Sequence, residues 1–268
     1  MNKENLKEIL HRYKLWVWNE AGGQRANLRK ADLGKSDLRE AELRKADLVG
    51  SNLCYADLRG ANLQEAYLHV ADLRGVNLRE ADLSIADLSG SDLYESNLID
   101  VDLYRADLGN ACLSKALLRR ACLREAYLED ACLSRADLSE SNLKEANLKD
   151  ANLSGANLKD ANLKGANLEG ANLEGAYLGN LHIYQLSRIG SANRMTTFWA
   201  DEDKIWCGCF TGTFAEWRDK IRKTYSSEIC DTQSEGSKYR TQYEAALTYF
   251  AELAAIDGMP QYKKLLED

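Results

Sequence analysis

The chain has 268 residues, room for one large or two modest domains, with a single proline, seven cysteines and 8% aromatic residues. Its formal charge of −7 divides into +2 over 1–25, −7 over 26–180 and −2 over 181–268, which excludes nucleic-acid binding through a broad basic surface. No stretch approaches the run of about eighteen apolar residues that a membrane span needs.

The first 25 residues read as a capping helix. Leu6, Ile9, Leu10, Tyr13 and Trp16 or Val17 recur at three- and four-residue intervals, the period of an amphipathic helix. Gly22-Gly23 is its expected stop, where two permissive residues turn the chain. Trp16 and Trp18 offer a second reading as a binding surface. The segment is charged from Lys3 to Lys14 and lacks the apolar core of a secretory signal, so a cytoplasmic protein with reduced thiols is expected.

From Ala26 to Asn180 the chain repeats every five residues, thirty-one times, without a slip of phase. The units read Ala-Asx-Leu-x-x, as in Ala71-Asp72-Leu73 and Ala166-Asn167-Leu168. The third position is always leucine, the first is alanine in twenty-four units, and the second is Asp or Asn in twenty-three. On an α-helix five residues advance about 500°, so the leucines would wander around the axis. In one long strand an odd period sends alternate leucines to opposite faces. Within one unit, however, the first and third residues point the same way, so Ala and Leu face inward and Asx outward. If the last two residues turn a corner, each unit is one side of a solenoid coil that buries its leucines against the next.

These units resemble the pentapeptide-repeat family, whose motif is A(D/N)LXX, over about 155 of the 268 residues. The resemblance implies a right-handed quadrilateral β-helix with four units per coil, hence 7.75 coils and a rod roughly 37 Å long. The fold expected is thus an all-β solenoid over 26–183, with a capping helix over 1–25 and a small α+β module over 184–268. The order of helix, Trp, Gly-Gly and immediate repeat also looks like the front of many bacterial and phage members of that family. Some members resemble duplex DNA in shape and charge and bind DNA topoisomerases.

Residues twenty apart should stack on one face. One outward column then holds Asp72, Asp92, Cys112, Cys132 and Asn152, and another holds Asp87, Asp107, Tyr127 and Asn147. Stacked acids repel unless solvent, salt or a neighbouring cation intervenes, and Arg74, Arg79 and Arg105 are the candidates for that relief. Asp72, Asp87, Asp92 and Asp107 form the candidate DNA-mimic face; against mimicry stand the modest acidity and the Asn that replaces Asp from Asn142 to Asn172. The Asx pattern breaks at Cys112, Leu117, Cys122, Tyr127 and Cys132, an apolar belt around the rod flanked by Lys115, Arg119, Arg120 and Arg124. Exposed apolar surface with a basic rim is a candidate partner-binding site, in which Arg119 and Arg124 join the five belt residues. Drift at a lightly constrained position is the alternative. Arg120 shares a column with Glu80, Asp100, Glu140 and Asp160, so part of the basic charge is expected to pair across coils.

Cys112 and Cys132 should be stacked neighbours about 5 Å apart, within disulfide range, although side-by-side chains make the torsion awkward. Cys122 belongs to the opposite face, and three thiols on opposite faces cannot converge on one ion, so no metal site is expected.

Beyond Asn180, Leu181-His182-Ile183 keeps the apolar pair for a last half-turn. The runs 195–199 and 204–210 read as a β-hairpin around the polar turn 200–203. Thr213-Phe214-Ala215-Glu216 is a capping box, followed by the stripe Phe214, Trp217, Ile221 and Tyr225. A second helix is expected from about Lys238 to Ile256, after a loop over 226–237. The stretch with Ile189-Gly190-Ser191 and 207–213 looks like a C-terminal module of phage and prophage proteins. Cys207-Gly208-Cys209 is too close for a zinc knuckle and reads as part of a buried strand.

His11, His69 and His182 stand in three different contexts, and no phosphate loop, dinucleotide fingerprint or metalloprotease motif is present. If an enzyme were present it would sit in the tail, with Cys207, Cys209, Asp201, Glu202 and Asp203 as its polar groups. The sequence therefore points to a non-enzymatic, cofactor-free scaffold that binds another protein, with no direct nucleic-acid or membrane contact. The alternatives are a DNA-mimic inhibitor or protector, of the kind a phage would encode, of a topoisomerase such as gyrase or of another DNA-binding protein, and an activity of the C-terminal module. End coils can be covered by a helix or by a second copy, so a homodimer through an end cap is also open.

Overall fold

The computed structural model of the chain describes residues 3–179, 181, 183–189, 194–200, 203–207, 210–224, 235–257, 259, 261–262 and 264. They form two compact units: the repeat with its N-terminal helix, and a C-terminal module.

In the repeat the backbone amides follow one hydrogen-bonding scheme, and the five positions divide the task. The second-position amide donates to a first-position carbonyl of the preceding coil, as Asp47 does to Ala26 at 2.9 Å. The third donates forward to the second-position carbonyl of the next coil, nineteen residues on, as Leu28 does to Asp47 at 2.7 Å, and the fifth donates forward likewise to a fourth-position carbonyl, Lys30 to Val49 at 2.9 Å. The next first-position amide closes the corner onto the preceding leucine carbonyl, Ala31 to Leu28 at 3.0 Å. The fourth donates to the side-chain oxygen of the second residue, as in Arg29 to Asn27 at 3.2 Å and Gly109 to Asp107 at 2.9 Å. Asp and Asn at the second position are therefore internal caps of each corner as well as outward polar groups.

Parallel bridges join residues twenty apart from Asn27↔Asp47 to Asn157↔Tyr177, so the coil has four sides of five residues. Each corner places its fifth residue at positive φ, the conformation that the third residue of a type II turn requires. Twenty-two of the thirty described fifth positions are not glycine, and they include the β-branched Val70 at φ 51° and Ile85 at φ 60°. The sequence pattern assigned these two residues to a corner without revealing that strain. Inside, every third-position leucine from Leu28 to Leu173 is at most 7% exposed.

Helix α1 (Lys3–Val17) covers the first coil, and it ends earlier than the glycine pair suggested. Asn19 takes the left-handed conformation at φ 55° and stops it; Gly22 makes a second turn at φ 83°. A Cβ on Gly23 would collide with the backbone of Leu15 and Trp16, so that glycine permits a close approach. Tyr13 is fully buried and its hydroxyl donates to the Arg44 carbonyl, while Trp16, Val17 and Trp18 are exposed. Burial raises the Tyr13 phenol to a pKa of about 12.

The module is a four-stranded antiparallel meander, β1 (Ile183–Ile189), β2 (Arg194–Trp199), β3 (Lys204–Cys207) and β4 (Phe210–Gly212), followed by α2 (Phe214–Thr224) and α3 (Glu235–Ile256). Two expectations are corrected here. Ile183 pairs with Trp199 as the start of β1 and does not continue the repeat. The run 204–210 is not one strand, because Cys207 pairs with Phe210 across a reversal. His182, Gly208, Cys209, Asp201, Glu202 and Tyr225 lie outside the described residues. α3 begins at Glu235, three residues before the expected start. The capping box is reciprocal, Thr213 N to Glu216 Oε2 at 2.8 Å and Glu216 N to Thr213 Oγ1 at 3.2 Å. Phe198, Ile205, Phe214, Trp217, Leu247, Phe250 and Tyr262 make the core.

Candidate functional site

The bridges place Asp72, Asp92, Cys112 and Cys132 in one column and Asp87, Asp107 and Tyr127 in the column of the adjacent face. The four acids thus flank the corner that carries Val70, Gly90 and Asn110. Each also has local work. Asp72 receives both Nε and a terminal nitrogen of Arg74 at 2.8 and 2.7 Å, which holds its carboxyl down to a pKa of about 2. Arg74 lies 3.8 Å from Asp92 as well. Asp87 accepts from the Ser89 amide and hydroxyl and meets His69 Nδ1 at 3.0 Å, a partner that stacking by twenty does not disclose. Asp107 caps the Gly109 amide.

Of the three arginines expected to relieve the acid columns, Arg74 alone does so. Arg79 pairs with Glu80 at 3.0 Å in its own corner, and Arg105 reaches Glu125, twenty residues on in its own corner column, at 3.7 Å.

The belt encircles the rod: Cys112 and Cys132 share a face, and Leu117, Cys122 and Tyr127 occupy the other three. Leu117 is 43% and Tyr127 53% exposed, whereas the three cysteines are half-buried. Leu117 and Tyr127 carry no γ oxygen to cap the Arg119 and Glu129 amides. Cysteine sulfur takes that role from the Arg124 amide at Cys122 and the Ser134 amide at Cys132.

Much of the basic rim is engaged locally. Arg120 clamps Asp100 with two bonds of 2.7 Å, as its column suggested. Lys115 binds the Tyr94 hydroxyl at 2.6 Å and Glu95 at 3.0 Å, and Arg124 stacks over the Tyr104 ring at 4.6 Å. Arg119 is exposed on the face of Leu117.

Burial pushes the Cys122 thiol up. At Cys132 burial acts the same way, but bonds from the Ser114 hydroxyl and from the Ser134 amide and hydroxyl outweigh it, and the thiol is lowered. Below the belt, small fourth-position residues Gly34 and Cys54 and the corner Gly75 open a groove of about 520 Å³ walled by Tyr55 and Tyr94. That groove was missed in the sequence, where its signal is three small residues close together on one side of the rod.

Among the described residues, no group of three or more His, Cys, Asp or Glu side chains is placed to hold a metal ion, and no helix is long and apolar enough to cross a membrane. Asp203, a candidate polar group of the tail, accepts the Phe214 amide at 3.1 Å and so caps α2.

The family model described as pentapeptide repeats matches in eight copies over 24–60, 55–90, 81–120, 121–160 and 156–178. Among solved structures, HetL of the cyanobacterium Nostoc sp. strain PCC 7120, a pentapeptide repeat protein involved in heterocyst differentiation regulation, is 36% identical. The match covers 57% of this chain and 74% of HetL, with a TM-score of 0.31. Rfr23 of the cyanobacterium Cyanothece 51142 is 38% identical over 36% of this chain and 63% of its own, with a TM-score of 0.28. QnrB1, a plasmid-mediated fluoroquinolone resistance protein, is 18% identical over 57% and 86%, with a TM-score of 0.39. No curated protein matches the chain.

Proposed function

Since the chain belongs to the pentapeptide-repeat family and its rod is therefore a right-handed β-helix, we propose that it is a non-enzymatic scaffold that binds another protein through the mid-rod belt. The observation that carries this reading is the exposure of Leu117 and Tyr127 within five successive second positions that lack the corner-capping Asx of twenty-three of the thirty-one units; Tyr67 and Tyr177, exposed at the same position elsewhere, stand singly. Replacing Asx there removes a capping bond worth about 1 kcal/mol and puts apolar surface in water, so each replacement is unfavourable for the isolated rod. A partner that covers Leu117 and Arg119 on one face would recover that apolar part, and one that wraps the rod would cover Tyr127 on the opposite face as well.

The test is affinity capture from a bacterial lysate with Leu117→Asp/Tyr127→Asp beside Asn157→Asp, a control on the Leu117 face. Loss of one defined protein in the belt variant alone supports the reading. Equal capture by both variants refutes it.

A second reading, mimicry of DNA toward a topoisomerase, is favoured by the four acids that flank one corner. Magnitude argues against it. Seven net charges over roughly 37 Å are about one per 5 Å, against one per about 1.7 Å in duplex DNA. A gyrase supercoiling assay decides: protection or inhibition at micromolar protein would support mimicry, and neither would remove it.

A further inference from the structure

The motif Cys-Leu-Ser occurs at 112–114 and again at 132–134, one coil apart, and puts two thiols and two hydroxyls on one face. The Ser114 hydroxyl lies 3.0 Å from the Cys132 sulfur and 3.7 Å from the Cys112 sulfur, so one oxygen serves both thiols. Ser134 Oγ bonds Ser114 Oγ at 3.1 Å and lies 3.6 Å from the Cys132 sulfur. The Asn152 amide approaches that sulfur at 3.9 Å. Both cysteines are free thiols and half-buried. Metals bind the thiolate; hydroxyl donors approach the Cys132 sulfur, whereas Cys112 donates its S–H to Ser114 and would release that proton on binding.

Geometry separates the two uses of such a pair. A disulfide wants Cβ atoms about 3.8 Å apart, whereas side-by-side residues on neighbouring coils are held near the strand spacing of about 4.8 Å. Two metal–thiolate bonds of about 2.3 Å placed in line span about 4.6 Å, which fits that spacing without moving the backbone. Three thiols would have to converge from different faces, but two-coordinate binding asks for only these two. Two thiolates with no third ligand select a soft, low-coordinate ion. We infer that Cys112 and Cys132 form a two-coordinate site for a soft monovalent cation of the Cu(I) class, with Ser114 as the outer-shell partner of both sulfurs.

The experiment is an anaerobic titration of the reduced full-length protein with Cu(I) in competition with a chromophoric Cu(I) chelator. Cys112→Asn and Cys132→Asn install the residue type that the repeat itself uses at this position, so the variants should keep the fold; far-UV circular dichroism verifies this. Each should bind one equivalent less Cu(I) than the parent, while Cys122→Asn binds the same amount. Ser114→Ala should retain the stoichiometry with affinity weakened about tenfold, as loss of an outer-shell partner does. Unchanged stoichiometry in either Cys112→Asn or Cys132→Asn overturns the site. So does an equal loss in Cys122→Asn, or a Cys112–Cys132 disulfide in peptide maps of the reduced preparation.

Discussion

The repeat and the C-terminal module solve the same problem in different ways. In the repeat, the leucines are buried between coils, and the amides that are bonded find their partners within the same corner or one coil away. In the module, Phe198 meets Phe214, Phe250 and Tyr262 at ring-centroid distances of 5.0–5.5 Å, so one cluster gathers residues from β2, α2, α3 and the segment after α3. The repeat distributes stability along its length; the module concentrates it. A defect should therefore be local in the first and global in the second.

The largest expected effect tests that difference. Phe198→Ala opens the centre of the only hydrophobic cluster described in the module and should cost about 3–5 kcal/mol, enough to unfold it. Limited proteolysis should then degrade the module and leave a protected fragment that ends near residue 180. Leu118→Ala removes a similarly buried side chain mid-repeat at about 3–5 kcal/mol, yet should leave the module's pattern of cleavage unchanged. If either substitution collapses both units together, the distinction fails.

A smaller effect comes from the end cap, where the repeat resembles the module in relying on one aromatic residue. Tyr13 is neutral and buried in the folded state, with a pKa of about 12 against an ordinary 10.0. Its contribution is complete below pH 10 and is lost as pH rises toward 12, because only the unfolded chain ionises in that window. The full displacement corresponds to roughly 2–3 kcal/mol. Tyr13→Phe should lower stability by about 1 kcal/mol near neutrality through loss of the bond to the Arg44 carbonyl. It should also flatten the decline between pH 10 and 12 in chemical denaturation. An equal alkaline decline in wild type and variant would assign it to other groups.

How much was legible in the sequence follows the same division. Inward residues repeat identically, so the period gave a solenoid, and the four-unit coil implied by the family resemblance then gave its columns and the cross-coil pair of Arg120 and Asp100. What stacking could not give was chemistry over shorter offsets: the amide caps made by Asx, the His69 contact with Asp87, and the pairing of Arg79 with Glu80 in its own corner. Those depend on side-chain direction over two or three atoms, which stacking by twenty does not encode. In the module, β1 was hidden because Leu181-His182-Ile183 mimics the repeat, and the reversal between Cys207 and Phe210 interrupts an otherwise strand-like run. The belt was visible as a break in pattern, and Leu117 and Tyr127 are exposed there.

The smallest effect concerns strain that the repeat tolerates by being redundant. Val70 occupies a left-handed corner that costs a β-branched residue about 1–2 kcal/mol, and its side chain is 63% exposed, so little packing offsets that cost. Asn110, two coils on in the same corner column, holds the same conformation at φ 58° with a residue type suited to it. Val70→Asn should therefore raise stability by about 1 kcal/mol, read as a higher denaturation midpoint with an unchanged slope. Strained residues in folded proteins are held by their surroundings, and here the surroundings are five inter-coil and corner bonds repeated on every side. An unchanged midpoint would mean that the unfolded chain, and not the corner, carries the difference between Val and Asn.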